Sequence, residues 1–127
     1  MRIALDTNRY SDLCRGDAVV TDLVVRAEEV FVPFVVVGEL RSGFAAGATS
    51  RANERTLQRF LAKPGVDILL ASEATTHHYA MLHLQLRARG KPIPTNDLWI
   101  AALAIEHGLA LATRDAHFAH IPQLVLV

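Results

Sequence analysis

Cysteine is almost absent. Cys14 is the only one in 127 residues, so neither an internal disulfide nor a cysteine cluster of the zinc-finger type can form. That usage points to a reducing cytoplasm, with Cys14 expected as a small buried apolar residue. An excess of one charge sign is also missing: 13 basic and 13 acidic residues give a formal net charge of zero. This excludes a simple, strongly basic nucleic-acid binder. No apolar run approaches the ~18 to 20 residues of a membrane span. Asp6 stands where a secretory signal would still be apolar.

What is present is core-forming material. Hydrophobic residues make up 51% and charged ones 20%, with a mean hydropathy of +0.24. Such a chain can offset the conformational entropy lost on folding, which a disordered one cannot. The length fits one domain over residues 1–127.

Apolar and turn-forming residues alternate along the chain. Short apolar runs at 3–5, 30–32, 66–70, 109–112 and 124–127 read as buried strands. Helical spacing covers 10–29, with a break at Gly16 and Asp17, then 33–46, where Pro33 can open the helix. Further helices are expected over 51–62 after Ser50 as cap, over 73–89 after Ser72, and from Thr95 to about Gly108. The last is apolar over most of its girth and is expected inside the fold, with Trp99 packing in the core. Strands alternating with helices indicate an α/β fold, a parallel sheet covered on both faces.

Ligands of open parallel sheets collect beyond the carboxyl ends of the strands, and Asp6 and Asp115 both follow strands there. Asp97 lies at the start of the apolar helix, and Glu39 sits inside Val35-Val36-Val37-Gly38-Glu39-Leu40, where a solvated charge is unexpected. Carboxylates crowded together at neutral pH repel one another unless a cation shares the site. A hard divalent cation, Mg²⁺ or Mn²⁺, suits oxygen ligands with no thiolate among them, and phosphodiester hydrolysis is the reaction such a site best supports. Taken singly, each acid has a duller reading: a turn residue for Asp6 or Asp115, a helix cap for Asp97, a partner of Arg41 for Glu39.

The segments Leu5-Asp6-Thr7-Asn8, Gly38-Glu39-Leu40, Asn96-Asp97-Leu98-Trp99-Ile100-Ala101-Ala102 and Ala112-Thr113-Arg114-Asp115-Ala116-His117-Phe118 resemble, in order and spacing, the PIN-domain family. The chain looks most like a VapC-type toxin of a toxin-antitoxin pair. The resemblance implies a three-layer α/β/α sandwich with a central parallel sheet. It also implies a metal-dependent endoribonuclease site made of Asp6, Glu39, Asp97 and Asp115, with Thr7, Asn8 and Thr113 as hydrogen-bonding support. Asp6 and Asp97 are the expected direct metal ligands. Some relatives carry a further acid two residues beyond the last, where this chain has His117. The implied partners are an RNA substrate, a cognate antitoxin and a second copy of the chain.

RNA must also be held. Arg9 and Arg114, beside the presumed ligands, and Arg41 are the candidate phosphate contacts. Arg51, Arg55 and Arg59, at helical spacing, read more simply as a solvated face, and Arg87, Arg89 and Lys91 form another basic region. His77, His78 and His83 lack the one-turn spacing of a metal pair, and His117 with His120 lacks thiolate partners for zinc. Two other enzyme classes begin similarly and fail on particular residues. A haloacid-dehalogenase-like phosphatase wants an acid where Asn8 stands, and a receiver domain wants an acidic pair before Asp6. A catalytically silent antitoxin-binding or dimerisation module is the alternative, against which the retention of all four acids argues.

Overall fold

The computed structural model describes residues 1–127. Its five strands are β1 (Arg2–Leu5), β2 (Glu29–Pro33), β3 (Val66–Leu69), β4 (Ala110–Ala112) and β5 (Val125–Leu126), all parallel, in the order β3-β2-β1-β4-β5. The helices are α1 (Thr7–Cys14), α2 (Ala18–Arg26), α3 (Phe34–Ala45), α4 (Ser50–Leu61), α5 (Glu73–Ala88) and α6 (Thr95–Glu106). They cover the sheet on both faces, giving the three-layer α/β/α sandwich.

The centre of the sheet is dry on both sides, as the unbroken apolar text of its strands requires. Ile3, Ala4 and Leu5 are fully buried and sit opposite Ala110, Leu111 and Ala112, so each large side chain in β1 faces a small one in β4. Small residues recur in α6, where Ala101, Ala102 and Ala104 are buried beside Ile100 and Leu103. The two edges are short and partly polar: β3 exposes Asp67 and Ile68, and β5 is exposed at both residues.

The chain builds β1, β2 and β3 outward in one direction, then returns to lay β4 and β5 on the other side of β1. The order reverses between β1 and β4, so the crevice beyond their carboxyl ends is the switch point where such sheets bind ligands. Asp6 follows β1 directly and Thr113 follows β4, with the Asp6 amide donating to the Ala112 carbonyl at 3.0 Å.

Four local expectations change. Helix α1 begins three residues before Tyr10, because the Asp6 carboxylate accepts from the Thr7 amide and caps it. Ser50 is the first helical residue of α4, not its cap; Thr49 precedes it and accepts from the Asn53 side chain instead. Cys14 is exposed at the end of α1, where the helix turns away from the core. Trp99 is half-buried, packed on the core's rim and stacked on Tyr79 with ring centroids 4.2 Å apart. Ser72 caps α5 as expected, in a reciprocal capping box with Thr75.

Leu111 is fully buried in β4, next to the crevice. Truncation to Ala should cost about 3 kcal/mol, read as a lower urea midpoint at unchanged slope. A loss below about 1 kcal/mol would mean that the centre of the sheet can collapse around the gap.

Candidate metal centre

Asp6 is held from three sides. Its Oδ1 accepts from the Thr7 amide at 2.8 Å, and its Oδ2 from the Thr113 hydroxyl at 2.6 Å and the Asn8 amide group at 3.4 Å. Thr113 in turn accepts from the Asp115 amide at 2.9 Å, so one hydroxyl joins the acids that follow β1 and β4. Thr7 donates its own hydroxyl to Glu39 Oε1 at 2.9 Å, which brings the α3 carboxylate to the same end of the sheet. Asn8 Oδ1 accepts from the Arg114 amide at 3.1 Å, closing a second link between α1 and the segment after β4.

Asp97 enters from the first turn of α6 and is buried. The segment after β4 supplies the rest. Asp115 caps a 3-10 helix over Ala116–His120 by accepting from the His117 amide at 2.9 Å. That turn swings the His117 ring back, so that Nδ1 lies 3.0 Å from Asp97 Oδ2 and 3.0 Å from Asp115 Oδ1. Ligand atoms of Asp97, Asp115 and His117 all lie within 4.8 Å of one another. The tight donor group is therefore two carboxylates and an imidazole. Asp6 and Glu39 adjoin it through Thr113 and Thr7 rather than belonging to it.

The electrostatics show the strain of gathering acids out of water. Burial raises the Asp6 carboxyl above its ordinary value, with hydrogen bonds from Thr113 and Thr7 opposing and the charges of Glu39 and Asp115 adding to the rise. Asp97 is pushed up to about 6, first by burial and then by Asp115 and Asp6, against the stabilising bond from His117. A helix N-terminus ordinarily favours a carboxylate, so desolvation wins here over the dipole. The same contacts raise His117, above all its bond to Asp97.

The arginines named from the sequence are engaged elsewhere. Arg41 makes a two-bonded pair with Glu54 of α4, at 2.9 and 3.1 Å, and not with Glu39. Arg9 and Arg114 both reach Asp12, a buried acid of α1 that sequence reasoning passed over. Arg114 is chief among the groups that hold the Asp12 carboxyl down at about 2. A signal was present: Arg9 and Arg15 flank Asp12 at three residues on either side, the spacing at which helical side chains meet. His117 was legible only as a departure from the acidic pattern.

With this geometry in view, comparison with known proteins is decisive. The family model of the PIN domain matches residues 3–124. The chain belongs to the PIN-domain family. Ribonuclease VapC4 of Mycobacterium tuberculosis is 34% identical over 96 residues, 76% of this chain and 74% of that protein. Toxin FitB of Neisseria gonorrhoeae is 34% identical over 121 residues, covering 89% of this chain and 87% of its own. Among solved structures, VapBC2 of Rickettsia felis, bound to a DNA fragment from its promoter, superposes with a TM-score of 0.87. It is 27% identical and covers all of this chain and 98% of the other. The four acids of this PIN domain thus stand at the carboxyl end of a sheet whose fold the relatives share.

An elevated carboxyl makes the fold pH-sensitive. With a folded value of about 6 for Asp97 against an ordinary 3.8, the unfolded chain releases a proton between those pH values that the folded chain retains. Stability falls as pH rises through that window and stays lower above it; the raised His117 acts in the same sense as pH passes its own range. In chelating buffer at pH 8, Asp97→Asn should therefore be more stable than wild type by about 1 kcal/mol, a figure that allows for solvent screening and the lost bond to His117, with the gap closing near pH 4. A variant less stable than wild type at pH 8, by urea unfolding, would contradict this.

Proposed function

We propose that this chain is a metal-dependent endoribonuclease, the toxin of a toxin-antitoxin pair, acting in the cytoplasm. The observation that carries the reading is the grouping of Asp97, Asp115 and His117 within 4.8 Å beside a buried Asp6. Relatives named as ribonucleases and toxins, and a 26% identical chain solved as a member of the VapBC family of toxin-antitoxin systems, supply the biological frame.

The donor set fits a divalent cation. Asp97, whose proton affinity is raised, stands beside Asp115 with an imidazole aimed at both carboxylates, and the repulsion between the two is relieved when a cation is shared. Oxygen donors suit Mg²⁺ or Mn²⁺, and the imidazole tilts the set toward Mn²⁺ relative to an all-oxygen site. Asp97, Asp115 and, once its Nδ1 is unprotonated, His117 would hold the ion, with Asp6 and Glu39 beside them through Thr113 and Thr7. Such an ion supplies Lewis-acid stabilisation of the charge that builds on a phosphodiester during hydrolysis.

The remaining work belongs to the protein. Thr113 and Asn8 fix the orientation of the Asp6 carboxylate, the role that residues behind a metal ligand ordinarily play. His117, bridging two acids, can hold a proton at Nδ1 or release it as the local charge changes. Arg114, half-exposed, carries positive charge to the rim of the crevice, where an RNA phosphate has to approach four carboxylates, with the mostly buried Arg9 behind it on Asp12. An apolar cavity of about 590 Å³ between α1, α2 and α4, lined by Leu13, Val24, Val25 and Phe60 among others, offers seating for apolar side chains of an antitoxin segment. A homodimer completes the assembly read from the sequence.

RNA cleavage should require added Mg²⁺ or Mn²⁺ and stop with chelator. Asp97→Asn and Asp6→Asn should each lower it more than about 100-fold at saturating metal, while Thr113→Val should lower it by about 10- to 100-fold, the range for losing a group behind a ligand. Cleavage by Asp97→Asn at the wild-type rate across the metal titration would remove the basis of the assignment.

A further inference from the structure

Besides Asp6 and Asp97, the only buried acid is Asp12, and it has more cations than it needs. Arg114 grips it with two bonds, Nε to Oδ2 at 2.7 Å and Nη2 to Oδ1 at 3.1 Å. Arg15 Nη2 donates to Oδ1 at 2.9 Å and Arg9 Nη1 to Oδ2 at 3.3 Å. One carboxylate is neutralised by one guanidinium, so three leave Asp12 over-matched by two positive charges, partly offset by Asp17, whose charge also acts on Arg114. A clamp whose purpose was only to fasten α1 to the segment after β4 would be complete with Arg114 alone.

The surplus is accessible. The Arg15 side chain is 68% exposed and that of Arg114 50%, although both are tethered at their inner edges. Of five N–H donors in each guanidinium, Arg114 spends two on Asp12 and Arg15 one, leaving the outer edges free, with Arg114 oriented by its paired bonds and Arg15 tethered at a single point. Arg9 is mostly buried, and its Nε has no partner. The group also adjoins the metal centre through bonded atoms. The Arg114 amide donates to Asn8, Asn8 donates to Asp6, and the neighbours of Arg114 in sequence are Thr113 and Asp115.

We propose that Asp12 organises Arg15 and Arg114 into a cradle for an RNA phosphate next to the one being cleaved. The inference rests on the ribonuclease reading and deepens it. Asp12 is then a positioning residue: it touches no substrate but fixes the two guanidinium forks that do. The cradle resolves an electrostatic problem of the site, since a polyanion must come close to four carboxylates. Cations pinned beside those acids draw in the flanking phosphate, and being tethered to Asp12 they do not fold over onto Asp115.

The test measures binding of a fluorescent single-stranded RNA by anisotropy in chelating buffer, over a range of salt, with cleavage in Mg²⁺ or Mn²⁺ followed separately. Arg15→Gln and Arg114→Gln should each weaken binding about 3- to 10-fold and reduce the salt slope by about one, the mark of a lost phosphate contact. Arg26→Gln, on exposed α2 and paired with Asp22, should change neither. Asp12→Asn gives a test of sign. Charge counting alone has it bind RNA more tightly, having lost a negative charge, whereas a disordered cradle binds about 5-fold more weakly and Asp12→Glu restores it. Tighter binding by folded Asp12→Asn, or Arg15 and Arg114 variants with wild-type affinity and slope, would overturn the cradle. Should Asp12→Asn not fold, the exposed Arg15 decides the matter alone. Loss of affinity for polyglutamate with RNA binding intact would assign the arginines to an acidic protein segment and likewise overturn it. Wild type that cleaves RNA while ignoring these variants defeats the cradle only; wild type that neither binds nor cleaves RNA defeats the ribonuclease reading as well.

Discussion

The carboxylate of Asp6 is the point on which this structure turns. Burying an ion is expensive, and the cost falls only when its lone pairs are taken up by donors fixed in place. Here the donors come from the first turn of α1 and from Thr113 beyond β4, so satisfying one side chain fixes the relation between two neighbouring strand ends. The parallel sheet brings those ends together because β4 returns to lie against β1 after three strands have been laid outward. Topology creates the crevice, and the needs of a buried acid determine which groups fill it.

From that arrangement the rest of the site follows. Thr113 cannot bond Asp6 without placing Asp115 at the mouth of the crevice, and Asp115 cannot cap the short 3-10 turn without bringing His117 back toward Asp97. Asp97 is pushed up to about 6 by burial and by its fellow acids, a rise that a shared cation would relieve. The same packing that makes the apolar helix α6 a good core element denies its first-turn acid the solvent that would keep it comfortably ionised.

Much of this was legible in the residues. Apolar runs ending in Asp6 and in Thr113-Arg114-Asp115 marked strand ends, and an acid inside Val35 to Leu40 marked Glu39 as unusual. These readings rest on local pattern, which the chain writes plainly. Strand order and the roles of Asp12 and His117 are not local. Asp12 meets Arg114 across 102 positions, and its helical neighbours Arg9 and Arg15 resemble an ordinary solvated charge pattern. His117 acts through a five-residue 3-10 turn, too short for any periodicity to announce. Cys14 misled for the opposite reason: burial statistics describe a residue type, whereas the end of α1 simply faces outward.

The bond from Thr113 to Asp6 spans 107 positions of a 127-residue chain. During synthesis Asp6, Glu39 and Asp97 emerge in turn, and before β4 exists Thr7 can join Glu39 to α1 but Thr113 is not there to join Asp6. β4, one of the two strands that flank β1, arrives after all three, and Asp115 and His117 after that. Contacts so remote in sequence form late, once most of the chain entropy has already been given up. A ribosome-bound fragment ending before β4 therefore lacks the Thr113 bond to Asp6 and the His117 bond to Asp97. The centre comes together only once β4 has been laid against β1.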